Sequence, residues 1–222
     1  MAEQRSGPAL SVTRLILMPG LITLAVTILR LGGELQHWST TWFNPTPGGP
    51  WAIVGIVWLV PVFGIYFALK LAGAGEGPPN VARAIGLAIL GAIVFSLGFV
   101  LFQKVLRSLS GIVLMWALAA AGAALQFPAW RGLFKVLITY GYAARIPVAI
   151  VMFLATQADW KSHYSALAFP VSEMSRLAQY FLFGFVPQLV WWVSFTIVAG
   201  MLFGSIAAAI VRLVIPAVET PT

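Results

Sequence analysis

The stretch Thr139-Tyr140-Gly141-Tyr142-Ala143-Ala144-Arg145-Ile146-Pro147 lies in the middle of an apolar run from Val136 to Ala155 whose one charge is Arg145. A helical run of about twenty residues covers roughly 30 Å, the thickness of a bilayer's hydrocarbon core. The stretch therefore reads as a membrane span with a guanidinium at its centre. An arginine at that depth costs about 2.5–3.5 kcal/mol on insertion scales. Snorkelling from there does not bring it comfortably to water. Two positions on, Pro147 has no N–H, so the carbonyl of Ala143 loses its usual helical donor.

The rest of the chain fits this reading. Of 222 residues, 60% are hydrophobic and 9% charged, and the mean hydropathy is +0.95. A soluble domain carries about a quarter charged residues, so this chain cannot cover a water-facing surface. The expected architecture is all-α: a polytopic integral membrane bundle, residues 1–222 forming one membrane domain. Six spans are expected at 15–31, 51–69, 84–102, 109–127, 136–155 and 188–211. From Val171 apolar residues recur at helical spacing opposite Ser172, Glu173, Ser175, Arg176 and Gln179. This predicts a short amphipathic helix over 171–185 lying in the membrane interface, with Gly184 and Pro187 separating it from the last span.

Local signals refine the picture. Pro19-Gly20 should make the start of the first span irregular, and Pro61 should fall near the centre of the second. The first half of the loop between them has room for a short helix, and Trp38, Trp42 and Trp51 read as an aromatic belt. Asn80 is a candidate N-cap. Ala84, Ala88, Gly91, Ala92 and Gly98 form a small-residue stripe, as do Gly200, Gly204 and Ala208, which permits close helix approach in lipid. The small-residue block from Ala117 to Ala124 predicts a central, close-packed fourth span.

Six spans place both termini on one side. Seven cations share that side (Arg5, Arg14, Lys70, Arg83, Arg131, Lys135, Arg212) and five lie opposite (Arg30, Lys104, Arg107, Lys161, Arg176). This bias puts the termini in the cytoplasm, with a bacterial inner membrane as the expected location. The net charge of +7 comes from cations spread singly, so no nucleic-acid partner is expected. There is no cysteine, hence no thiolate or iron–sulfur chemistry. Neither histidine falls within a span, which argues against haem, and no nucleotide-binding loop occurs. The cofactor is left unassigned. The N-terminal run lacks a cleavage signal and reads as a retained span.

Two constellations carry possible chemistry. The first is Arg145 with Tyr140 and Tyr142, a candidate site for an anion or lipid headgroup. No span supplies an acid, so its partners would be carbonyls freed at Pro19, Pro61, Pro147 or Pro187, water, or a guest. The second is Glu34 with His37 and Asp159 with His163. Each pair would share a helical face, and both fall on the same side of the membrane, a donor set suited to zinc, iron or manganese. Glu34 also lies four residues after Arg30, which a plain ion pair explains.

The segment Trp130-Arg131-Gly132-Leu133-Phe134-Lys135, continuing through Tyr140 to Pro147, resembles the Tyr-to-Pro span of bacterial Yip-domain membrane proteins. Arg145 stands where that family has apolar filling. The resemblance implies a membrane span and no particular function. The expected function is that of a non-enzymatic membrane component binding lipid, an amphiphile or a partner subunit, which includes a second copy of the chain. A small-anion or amphiphile transporter or channel using Arg145 is the alternative, and a membrane-surface metalloenzyme is a further one.

Overall fold

The computed structural model describes residues 10–46, 53–165 and 174–214. Five helices come first: α1 (Val12–Leu35), α2 (Leu59–Gly73), α3 (Val81–Lys104), α4 (Leu109–Ala124) and α5 (Arg131–Gln157). A last helical rod follows, built from α6 (Arg176–Tyr180), a π-helical turn (Phe181–Phe185), α7 (Val186–Leu189) and α8 (Trp191–Val214). No strand occurs among the described residues. Four rods are long and apolar enough to cross a membrane: α1, α3, α5 and the last. Helices α2 and α4, of 15 and 16 residues, are apolar but shorter.

The prolines explain several boundaries. Pro61 does not lie mid-helix as expected. Helix α2 starts at Leu59, which puts Pro61 in the first turn, where a missing N–H leaves no bond unmade. Residues 53–58 form bends and turns, so the span predicted to start at residue 51 is shorter than expected. Pro19, expected to make the start of its span irregular, and Pro147, expected to remove the donor to the Ala143 carbonyl, both lie inside continuous helices. Gly184 and Pro187 do not separate two segments either. The rod passes through them as a π-helical turn followed by α7. Of the predicted interfacial helix, 171–173 lie outside the described residues, and Arg176–Tyr180 is a short α-helical segment continuous with the last rod. The loop after α1 holds turns and no helix over 36–46. Trp38 and Trp42 are exposed there, and Trp51 lies outside the described residues.

Successive rods alternate in direction. At one end, Glu34 near the end of α1 meets His163 just past α5. At the other, the Trp130 Nε1–H donates to the Glu76 carbonyl at 2.8 Å, and Arg212 donates to the Pro78 carbonyl at 2.8 Å. Helix α8 is the central element, packing on α2, α3, α4 and α5. Its buried Gly200, Gly204 and Ala208 make this possible. A Cβ added to Gly64 of α2 would fall 2.6 Å from the Gly200 Cα, so the two backbones touch. Ala84, Ala88, Gly91 and Gly98 of α3 are buried as the stripe predicts. Helix α4, expected to be central, lies instead at the edge: Ile112, Trp116, Ala119 and Gly122 face inward while Ala117, Ala120 and Ala121 are exposed. A block of small residues has no apolar periodicity to mark one face, so the sequence does not show which side is covered. Asn80 caps α3 as expected, its Oδ1 accepting from the Arg83 N–H at 2.9 Å.

Candidate functional site

Arg145 projects from the inward face of α5, beside buried Gly141, Ala144, Val148, Ala149 and Met152, and is 4% exposed. Its partners come from the last rod. Nη1 donates to the Gln188 Oε1 at 3.5 Å, the outer limit of a hydrogen bond. The Trp192 ring lies over the guanidinium, its centroid 4.6 Å from Cζ. The Nε–H is buried and has no acceptor among the described residues. Among the described residues no carboxylate pairs with this cation. The expected partners at proline-freed carbonyls are therefore replaced by one amide and one aromatic face.

The π-helical turn positions these groups. Tyr180, just before it, donates its hydroxyl to the Ala149 carbonyl at 2.9 Å, and Gly184 packs against Tyr180 and Met152. This fixes the last rod against α5 one turn from Arg145. Gln188 and Trp192 follow, four residues apart on one helical side. The Gln188 Nε2–H is directed to the Met152 Sδ at 3.3 Å, which aims Oε1 at the guanidinium.

Neither of the two tyrosines singled out with Arg145 is hydrogen-bonded to it. Tyr140 is buried, with its ring edge-on to Phe63 and Phe67 at 5.5 and 5.4 Å. Its hydroxyl lies 2.8 Å from the Thr23 Oγ1, which itself donates to the Pro19 carbonyl at 2.8 Å. With the threonine proton engaged, Tyr140 is the donor. Tyr142 is 41% exposed on the outer flank of α5 and makes no hydrogen bond to Arg145.

The second constellation is half assembled. Helix α1 ends at Leu35 and α5 at Gln157, and His37 and Asp159 both have left-handed backbones (φ 54° and 49°). The helical spacing that would pair each acid with its histidine is thus absent. Asp159 pairs with Lys161 at 3.1 Å on the surface, and His37 is exposed. Glu34, 2% exposed, is instead bound to Arg30 and His163. Arg30 Nε donates to its Oε1 at 2.8 Å, the His163 backbone N–H donates to Oε2 at 2.9 Å, and Nδ1 lies 2.6 and 2.8 Å from the two oxygens. Both carboxylate oxygens are occupied. No group of three or more His, Asp or Glu side chains suited to a metal is gathered among the described residues.

This cluster ties the bundle's end together. Arg30 also donates to the Asn44 carbonyl at 3.2 Å. Tyr164 stacks on His163, centroids 3.8 Å apart, and donates its hydroxyl to the Thr27 carbonyl at 3.3 Å. Burial holds the His163 imidazole below the usual range, an effect that Glu34 opposes and Arg30 reinforces. Burial likewise pushes the Tyr164 phenol up.

Sequence reasoning missed Gln188 and Trp192. Gln188 carried a usable signal, being the one carboxamide in 180–211. Two clefts lie away from Arg145: an apolar groove of about 450 Å³ flanked by Ile93, Val100 and Leu202, and a polar one of about 460 Å³ beside Glu76, Arg83 and Arg131. Comparison with known proteins adds no identity: no family model, curated protein or solved structure matches this chain, and the likeness of 130–147 to the Yip-domain span has no match behind it.

Proposed function

We propose that the protein is a six-span, non-enzymatic integral membrane component that holds a lipid or other amphiphile at Arg145. The observation that carries this reading is the uncompensated guanidinium, buried among apolar residues with an unused Nε–H. Charges inside a membrane are costly and are retained where they meet a ligand or line a pathway. The small-residue stripes, the other candidate surface for a partner, are spent within the chain at the α2–α8 and α3–α4 crossings. They are therefore weaker grounds for a partner subunit or a second copy than Arg145 is for a guest.

Six spans are favoured over four because α2 and α4 alternate in direction with their neighbours and pack as members of the same bundle. Local thinning of the bilayer accommodates short hydrophobic segments at modest cost. The excess of cations on the terminal side supports cytoplasmic termini, and a bacterial inner membrane is the proposed site. Native mass spectrometry of the protein released from nanodiscs tests the binding reading. One retained amphiphile per chain is expected. A bare monomer from every lipid mixture would overturn it.

A further inference from the structure

We infer that the group Arg145 reads is the acidic head of a lipid, a carboxylate or phosphate, bound side-on at the Nε edge of the guanidinium, with Gln188 as the neutral neighbour at Nη1. This rests on the amphiphile reading above and names its chemistry. A guanidinium offers its donors along edges, and the edge that includes Nε presents parallel N–H groups matched to two neighbouring oxygens of one acid. In this protein Nη1 is directed to Gln188 and one face is covered by Trp192, while Nε has no acceptor among the described residues. The open position is thus the one suited to a two-oxygen acid.

Charge points the same way. An amide at 3.5 Å and an indole face are both neutral partners, so the positive charge stays uncompensated in an apolar surround. A zwitterionic head would bring its own cation beside Arg145, and a neutral one would leave the charge unbalanced. Only an acid removes the imbalance. The position selects a lipid source. On α5, Tyr142, Ile146 and Ile150 line the exposed flank next to Arg145, and Trp192 is only half-buried. A guest entering from the bilayer lays its chain on that flank and its head on the Nε edge, leaving the long Gln188 contact at Nη1 in place. Neither the apolar groove beside Leu202 nor the polar cleft beside Glu76 is lined by Arg145.

The test measures binding of phosphatidic acid, a long-chain fatty acid, phosphatidylcholine and inorganic phosphate to the purified protein in zwitterionic detergent, by native mass spectrometry. Wild type should bind the two acidic lipids at least about tenfold more tightly than phosphatidylcholine, a gap of about 1.4 kcal/mol. Arg145→Lys keeps the charge but lacks the fork, and should lose most of that preference. Gln188→Glu places a carboxylate on the guanidinium from within, so it should exclude acidic lipid by about tenfold or more while remaining folded. It serves as the deciding variant should Arg145→Lys fail to fold. Acidic-lipid binding unchanged in folded Arg145→Lys or in Gln188→Glu would overturn the inference and leave amphiphile binding standing. Inorganic phosphate binding as tightly as phosphatidic acid would overturn the lipid source. A wild type that takes up no lipid would remove the underlying reading as well.

Discussion

Arg145 and Glu34 are both buried ions, and the fold treats them in opposite ways. Glu34 is saturated by Arg30, a backbone N–H and an imidazole, whereas Arg145 has one long amide contact and an aromatic face. Glu34→Ala should therefore destabilise by about 2–3 kcal/mol, since it leaves Arg30 and the His163 donors without an acceptor. Arg145→Met should leave stability unchanged or raise it by roughly 1–3 kcal/mol, because it removes an unpaired charge and keeps the bulk. Reversible unfolding in mixed micelles measures both. His163 adds a pH dependence. Its pKa is depressed in the fold, so the unfolded chain binds more protons at mildly acidic pH. Stability contributed there is fully present above about 6.5, the ordinary imidazole value, and is lost as pH falls below it. A melting-temperature series from pH 8 to 5 should show this decline, flattened in His163→Asn. Arg145 itself was legible in the sequence, since a lone charge in an apolar run is conspicuous. Its partners were not: Gln188 lies 43 positions away, and only the packing of two rods brings it in.

At the scale of the elements, close helix approach carries the energetics. Gly64→Val should cost about 1–3 kcal/mol or prevent folding, because the α2 and α8 backbones would have to part. Gly86→Ala is the control: nothing lies within 4 Å of its new methyl, so it should be neutral or gain up to about 1 kcal/mol. The stripes of α3 and α8 and the Asn80 cap could be read from residue spacing alone. The effects of proline could not. Pro61 fixes where α2 begins, Pro147 is absorbed within a continuous helix, and Pro187 follows a π-helical turn, and each outcome depends on neighbours far along the chain. The π-helical turn has no sequence signature, yet it sets the register that turns Gln188 and Trp192 towards α5.

For the whole molecule, composition was sufficient to identify an all-helical architecture with rods long and apolar enough to cross a membrane, because 9% charged residues cannot solvate 222. The number of crossings was less legible, since α2 and α4 have fewer residues than the apolar runs that contain them. The alternating bundle predicts that Thr40 and Ala74 lie on opposite sides of the membrane. The absence of native cysteine makes the experiment clean: in intact cells, Thr40→Cys should react with an impermeant maleimide, and Ala74→Cys only after permeabilisation. Whether Arg145 serves a guest or the fold is decided by the melting temperature of wild type and Arg145→Met in phosphatidylcholine nanodiscs, with and without phosphatidic acid. Wild type should be stabilised by the acidic lipid, and the methionine variant should melt no lower than wild type without it and fail to respond. A methionine variant that melts lower in phosphatidylcholine, with both proteins responding equally to phosphatidic acid, would contradict the account.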